Sequence, residues 1–171
     1  MIADSSPVSS ALPNSLRLTI PQDASGQTGF GNEGYYGSSF RYSIRRFSDT
    51  VLPGIQVNSE WTYSASFYYK FPAASSFDGS ATVTLQSTMG EVYASASVPI
   101  SGSQTAWKPV AVSLTPTSSP ASTANIFTVT FDGSGAAGQT INFAMFSLFP
   151  PTFKNRANGL RIDVATVCIH A

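Results

Sequence analysis

Glu33, Glu60 and Glu91 are the only glutamates in the chain, and each falls in or beside a stretch that reads as a turn. Asp49, Asp78 and Asp132 have similar settings, where an aspartate usually bonds its own backbone. Hydrolysis at a glycosidic centre needs two carboxylates at a fixed separation across the scissile bond. No spacing here singles out such a pair. The one histidine, His170, lies two residues from the one cysteine, Cys168, near the end of the chain. A Cys/His nucleophile needs a third, orienting group, and a metal site needs at least three ligands. Serine is abundant, but no G-x-S-x-G occurs and the single histidine is terminal. "DGSG" at 132–135 reads as a turn rather than a calcium loop. These residues predict no catalytic site, no metal site and no cofactor.

Binding chemistry is better represented. Tyr68 and Tyr93 fall on strand faces otherwise built of Thr62, Ser64, Ser66, Lys70, Ser95 and Ser97, and Gln86 with Thr82 and Thr84 has the same character. Flat aromatic rings stack on the apolar faces of sugar rings, while amides and hydroxyls meet the sugar hydroxyls. A polar face with isolated tyrosines therefore fits a shallow sugar groove. An ordinary solvated sheet face with β-forming Tyr and Thr fits the same pattern. The expected contacts are Tyr68, Tyr93 and Gln86, with loop residues Tyr35 and Tyr36 and strand-start residue Trp107 as alternatives.

The elements that must position these residues show a period of two, the mark of half-buried strands. In "EWTYSASFYYKF", Trp61, Tyr63, Ala65, Phe67, Tyr69 and Phe71 share one face. Leu16, Leu18 and Ile20 alternate in "SLRLTI", and Phe40, Tyr42 and Ile44 in "SFRYSI". Val83 and Leu85 come next, then Val92, Ala94, Ala96 and Val98 beyond the short turn "TMGE". Val110, Val112 and Leu114, then Phe127, Val129 and Phe131, then Ile141, Phe143 and Met145 complete the series. Clusters such as "PQDASGQTG", "FPAASSFDGS" and "TPTSSPAST" separate the runs. This spacing predicts an all-β antiparallel β-sandwich of jelly-roll type over residues 10–149, with an immunoglobulin-like topology as the alternative. The expected core includes Leu18, Tyr63, Phe67, Val83, Leu85, Val112, Val129 and Phe143.

The totals agree. The 171 residues suit one domain, and charged residues make up 11%, well below the usual quarter or so. Nine basic residues balance nine acidic ones, so no net field steers nucleic acid or an anionic membrane to the chain. One cysteine permits no internal disulfide. The start "MIADSSPVSS" has neither the basic nor the apolar part of a signal peptide, and no apolar run reaches membrane-span length.

Two stretches are more specific. "GFGNEGYYGSSF" (29–40) and "SLFPPTFKNRANGLRID" (147–163), with "SALPNSLRLTI", "YSASFYYKF", "LQSTMGEVYASASV" and "FTVTFDG" in order between and before them, resemble fungal α-L-arabinofuranosidases of glycoside hydrolase family 51. The resemblance implies a carbohydrate-binding-module-like (galactose-binding-like) sandwich placed ahead of a catalytic (β/α)8 barrel. It implies that the catalytic glutamates lie in that barrel, and that Glu33 in "NEG" is not one of them. It also implies an arabinose-containing polysaccharide as partner and a secreted parent enzyme, while the charge balance and the lack of a long apolar run predict no nucleic-acid or membrane partner. Tyr36 stands where the family commonly has Trp, and Ala157 where it has Pro. On this reading residues 1–9 are a disordered or residual segment, and residues 150–171 are a connector and the truncated start of the barrel, "VATVCIHA" replacing the expected helix.

Overall fold

The computed structural model describes residues 1–34 and 54–156. In chain order the strands are β1 (Ile2–Ala3), β2 (Asn14–Thr19), β3 (Gln27–Asn32), β4 (Tyr63–Lys70), β5 (Asp78–Ser87), β6 (Val92–Ser101), β7 (Lys108–Leu114), β8 (Asn125–Asp132) and β9 (Thr140–Phe149). A short 3-10 turn, Phe153–Asn155, follows. They form two antiparallel sheets, β1-β2-β9-β4-β7 and β3-β8-β5-β6. This is the all-β sandwich that the alternation demands. The expected strand "SFRYSI", Tyr35, Tyr36, Asp49, Cys168 and His170 lie outside the described residues.

The core forms because the apolar faces of both sheets have nowhere else to leave water. Tyr63, Ala65, Phe67, Tyr69 and Phe71 all point inward from β4 and its exit, each at most 2% exposed. Val83, Leu85, Val129 and Phe131 face them from the second sheet. Phe143 is the hub: its ring lies 5.3 Å from Phe30, 5.9 Å from Phe67, 6.2 Å from Phe131 and 6.0 Å from Phe146. Burying one such side chain is worth about 1.5–3 kcal/mol, so this aromatic cluster dominates the sandwich. Leu18 and Val112, also expected in the core, pack at its margin.

Two bulges reset the phase of the alternation, and each moves a residue to the face opposite to the one expected. Met145 was expected inward beside Phe143. Instead β9 carries an extra residue opposite β4, Met145 takes φ 54°, and Phe146 fills the inner position. In the second sheet the register shifts between Leu85 and Gln86, which turns Tyr93 inward and leaves Val92 exposed. A shift of one residue exchanges the faces of everything beyond it.

The sequence pattern also hid β3 inside a turn-like stretch rich in glycine. Its glycines are required by contact. A Cβ on Gly29 would overlap the Val129 carbonyl, and one on Gly31 would press on the Ile126 side chain. Residues 1–9 were expected to be disordered or residual, yet Ile2 and Ala3 pair with Ser15 and Asn14.

Candidate binding face

The outer face of the five-stranded sheet collects the aromatic and hydroxyl groups. Because β4 turns Tyr63, Ala65, Phe67 and Tyr69 inward, Ser64, Ser66, Tyr68 and Lys70 must point out. The register sets them in rows across the sheet. Ser64 lies between Ser113 and Phe149, Ser66 between Ala111 and Ser147, and Tyr68 between Pro109 and Ala144. Lys70 is opposite Asn142, which in turn is opposite Arg17. The hydroxyls of Ser66 and Ser147 are 2.6 Å apart. Tyr68 is half-buried, and Met145 and Phe149 are 44% and 60% exposed beside these rows.

Trp107 belongs to the same face. It immediately precedes β7, and the Lys70 ammonium stands 4.6 Å from the centre of its ring. The indole N–H donates to the Ser6 carbonyl at 2.6 Å, and the Lys70 ammonium donates to that same oxygen at 2.9 Å. Lys70 also forms an ion pair with Asp4 at 2.7 Å; the two side chains are only 10% and 3% exposed. Asn142 Nδ2 (3.3 Å) and Ser15 Oγ (3.2 Å) donate to the other carboxylate oxygen of Asp4. Arg17 Nε donates to the Asn142 Oδ1 at 3.2 Å. Burial alone would raise the Asp4 carboxyl. The hydrogen bond from Lys70, the Ser6 N–H, the Lys70 charge and the Ser15 hydroxyl outweigh it and hold Asp4 below the usual carboxylate range.

The structure therefore unites Tyr68 with Trp107, two contacts that the sequence offered only as alternatives. It does not unite Tyr68, Tyr93 and Gln86 on one surface. Tyr93 is 4% exposed and lies inside the sandwich. Gln86 projects from the other sheet, where its Oε1 accepts from Thr84 and sits in a row with Ile126 and Val92. That second outer face is a hydroxyl field (Thr82, Thr84, Thr128, Thr130, Ser95, Ser97) whose inner members bond each other, with Thr84 and Thr128 oxygens 2.5 Å apart.

Glu33, Glu60, Glu91, Asp78 and Asp132 are all exposed, and Asp132 accepts from the Ser134 hydroxyl and the Gly135 N–H of its own turn. Among the described residues no group of three metal-ligating side chains occurs, and no helix is long and apolar enough to cross a membrane. Sequence reasoning missed Asp4, Asn142 and Arg17. No local periodicity marks them, because strands far apart in the chain bring them together.

The fold is that of a carbohydrate-binding-module-like β-sandwich. A solved CBM4 structure superposes with a TM-score of 0.50 at 12% identity, over 84% of this chain and 87% of that one, a likeness of fold. The region resembled is more specific: the chain matches part of the fungal α-L-arabinofuranosidases of glycoside hydrolase family 51. The arabinose-bound MgGH51 α-L-arabinofuranosidase structure matches at 50% identity with a TM-score of 0.83, over 96% of this chain and 24% of that one. α-L-Arabinofuranosidase A of Aspergillus niger is 31% identical over 163 residues, and the probable enzyme of Aspergillus oryzae 32% identical over 160. The chain spans 22% of the length of both relatives. No family model matches the chain.

Proposed function

We propose that the chain is a non-catalytic carbohydrate-binding accessory domain of an α-L-arabinofuranosidase that removes terminal arabinofuranosyl residues from arabinan or arabinoxylan outside the cell. The partners on this reading are the arabinose-containing polysaccharide and a catalytic barrel in the rest of the polypeptide. The observation that supports it is Tyr68 and Trp107 on one outer face, flanked by the Ser66–Ser147 hydroxyls and by Asn142. Rings of this kind stack on furanose or pyranose faces, and the hydroxyl and amide groups meet sugar hydroxyls. A shallow open face buries little of a hydrophilic ligand, so the affinity is weak.

Affinity electrophoresis in arabinoxylan tests the reading. Tyr68→Ala and Trp107→Ala should each abolish retardation while leaving the circular-dichroism spectrum of the sandwich intact. Unchanged retardation in both variants would refute this face as the site. A second reading, a structural module that supports the barrel and binds no sugar, is favoured by Phe149 and Met145. Both are exposed on the same face, and Phe149 leads directly into Pro150 and Pro151. Absence of retardation in the parent chain itself would favour that second reading.

A further inference from the structure

We infer that Asp4 and Lys70 are positioning residues for the Trp107 contact, and that the N-terminal segment serves to fix the indole for its ligand. The inference rests on the reading of Trp107 as a sugar contact. Its geometry, however, is independent of that reading.

An indole just outside a strand has two side-chain torsions to settle, and a solvent-facing ring would populate several rotamers. Here two constraints converge on one. Ser6 presents its carbonyl to the indole N–H at 2.6 Å, which fixes the ring edge. The Lys70 ammonium stands 4.6 Å from the ring centre, which fixes the ring plane. Both restraints depend on one anchor. The Ser6 carbonyl is held in place by Lys70 (2.9 Å), and the Ser6 N–H donates to Asp4 Oδ1 at 2.9 Å. Asp4 is tied in turn to Lys70 on β4, Asn142 on β9 and Ser15 on β2. The carboxylate thus bolts the segment Asp4–Ser6 across three strands. A ring immobilised before binding need not be immobilised by the ligand, and that entropy is saved on association.

The arrangement also explains why a buried ion pair occurs on an outer sheet face. Such pairs are weak as stability devices compared with apolar packing, and in some proteins they specify one geometry. The geometry specified here is that of the indole. β1 is only two residues long and could not hold the segment by its own ladder.

The experiment uses the full chain in a Trp61→Phe background, where Trp107 is the sole tryptophan, excited at the red edge of the indole band where the seven tyrosines do not absorb. Asp4→Ala and Lys70→Met should each shift the Trp107 emission to the red and raise acrylamide quenching, and Asp4→Asn, which keeps an acceptor for Lys70, should restore part of the parent signal. Retention on arabinoxylan should weaken about two- to tenfold in Asp4→Ala, the cost of immobilising one side chain at binding. Circular dichroism and a melting curve confirm that each variant is folded. Emission and quenching unchanged in both Asp4→Ala and Lys70→Met would overturn the inference. So would a changed indole signal with unchanged retention in a chain whose retention does need Trp107. A changed signal in a chain whose retention survives Trp107→Ala would uphold the anchor and remove the proposed site instead.

Discussion

Tyr93→Ala should cost a large share of the stability of the domain, whereas Tyr68→Ala should cost little. The two residues look alike in sequence, each a tyrosine within a run of Ser and Thr. The structure separates them: Tyr93 is 4% exposed in the core and Tyr68 half-buried on the outer face. A tyrosine buries about 150–250 Å². At about 25 cal/mol per Å² that is about 4–6 kcal/mol of transfer free energy. A denatured chain already covers part of this area, so the figure is an upper bound. The cavity left behind acts in the opposite direction, and measured aromatic-to-alanine losses centre on about 3–5 kcal/mol. Against a total of about 5–15 kcal/mol for a domain, Tyr93→Ala removes a substantial fraction of the stability. Tyr68→Ala should cost under about 1 kcal/mol, as changes on exposed surfaces do. Guanidinium unfolding measures both, provided the slope m is unchanged between variants. A loss under about 1 kcal/mol for Tyr93 together with one above about 3 kcal/mol for Tyr68 would mean that the register beyond the β5–β6 bulge is wrong.

Asp4 gives a pH signature. Its carboxyl is held below the usual range, so the stability it contributes is complete above that range and is lost as pH falls through the depressed value. The melting-temperature gap between the parent chain and Asp4→Asn should therefore be full above about pH 5 and shrink steadily below about pH 4; a gap that widens with acid would contradict the assignment. Met145 holds a left-handed φ of 54°, a conformation costing a side-chain-bearing residue about 1–2 kcal/mol. Met145→Gly relieves it at the expense of a partly exposed side chain, so stability should rise or hold in a urea melt, and a loss above about 2 kcal/mol would show that Met145 packs better than its exposure suggests. Turnover of an aryl α-L-arabinofuranoside should stay at background, since no spacing in the sequence singles out a carboxylate pair; activity abolished by changing Glu33, Glu60 or Glu91 would overturn that expectation.

The alternation of Tyr63, Ala65, Phe67, Tyr69 and Phe71 by itself determined that β4 has one dry face, because a side-chain period of two puts all five on the same side. The same logic made Val83, Leu85, Val129 and Phe143 core residues and assigned the chain to an all-β sandwich. The resemblance in "SLFPPTFKNRANGLRID" was likewise a property of the string alone. Tertiary structure decided what periodicity cannot carry. Bulges at Met145 and beyond Leu85 are single-residue insertions relative to a partner strand, visible only once the partner is in place, and they decided which of Tyr93, Val92, Met145 and Phe146 face water. A glycine-rich run such as Gln27–Asn32 lacks the side chains that signal a strand, yet its glycines are what allow it to lie against β8. The outer face of the five-stranded sheet is the extreme case: Asp4, Arg17, Lys70, Trp107 and Asn142 come from five separate parts of the chain. Their meeting is fixed by strand order, since a sheet places side by side residues that the sequence holds far apart.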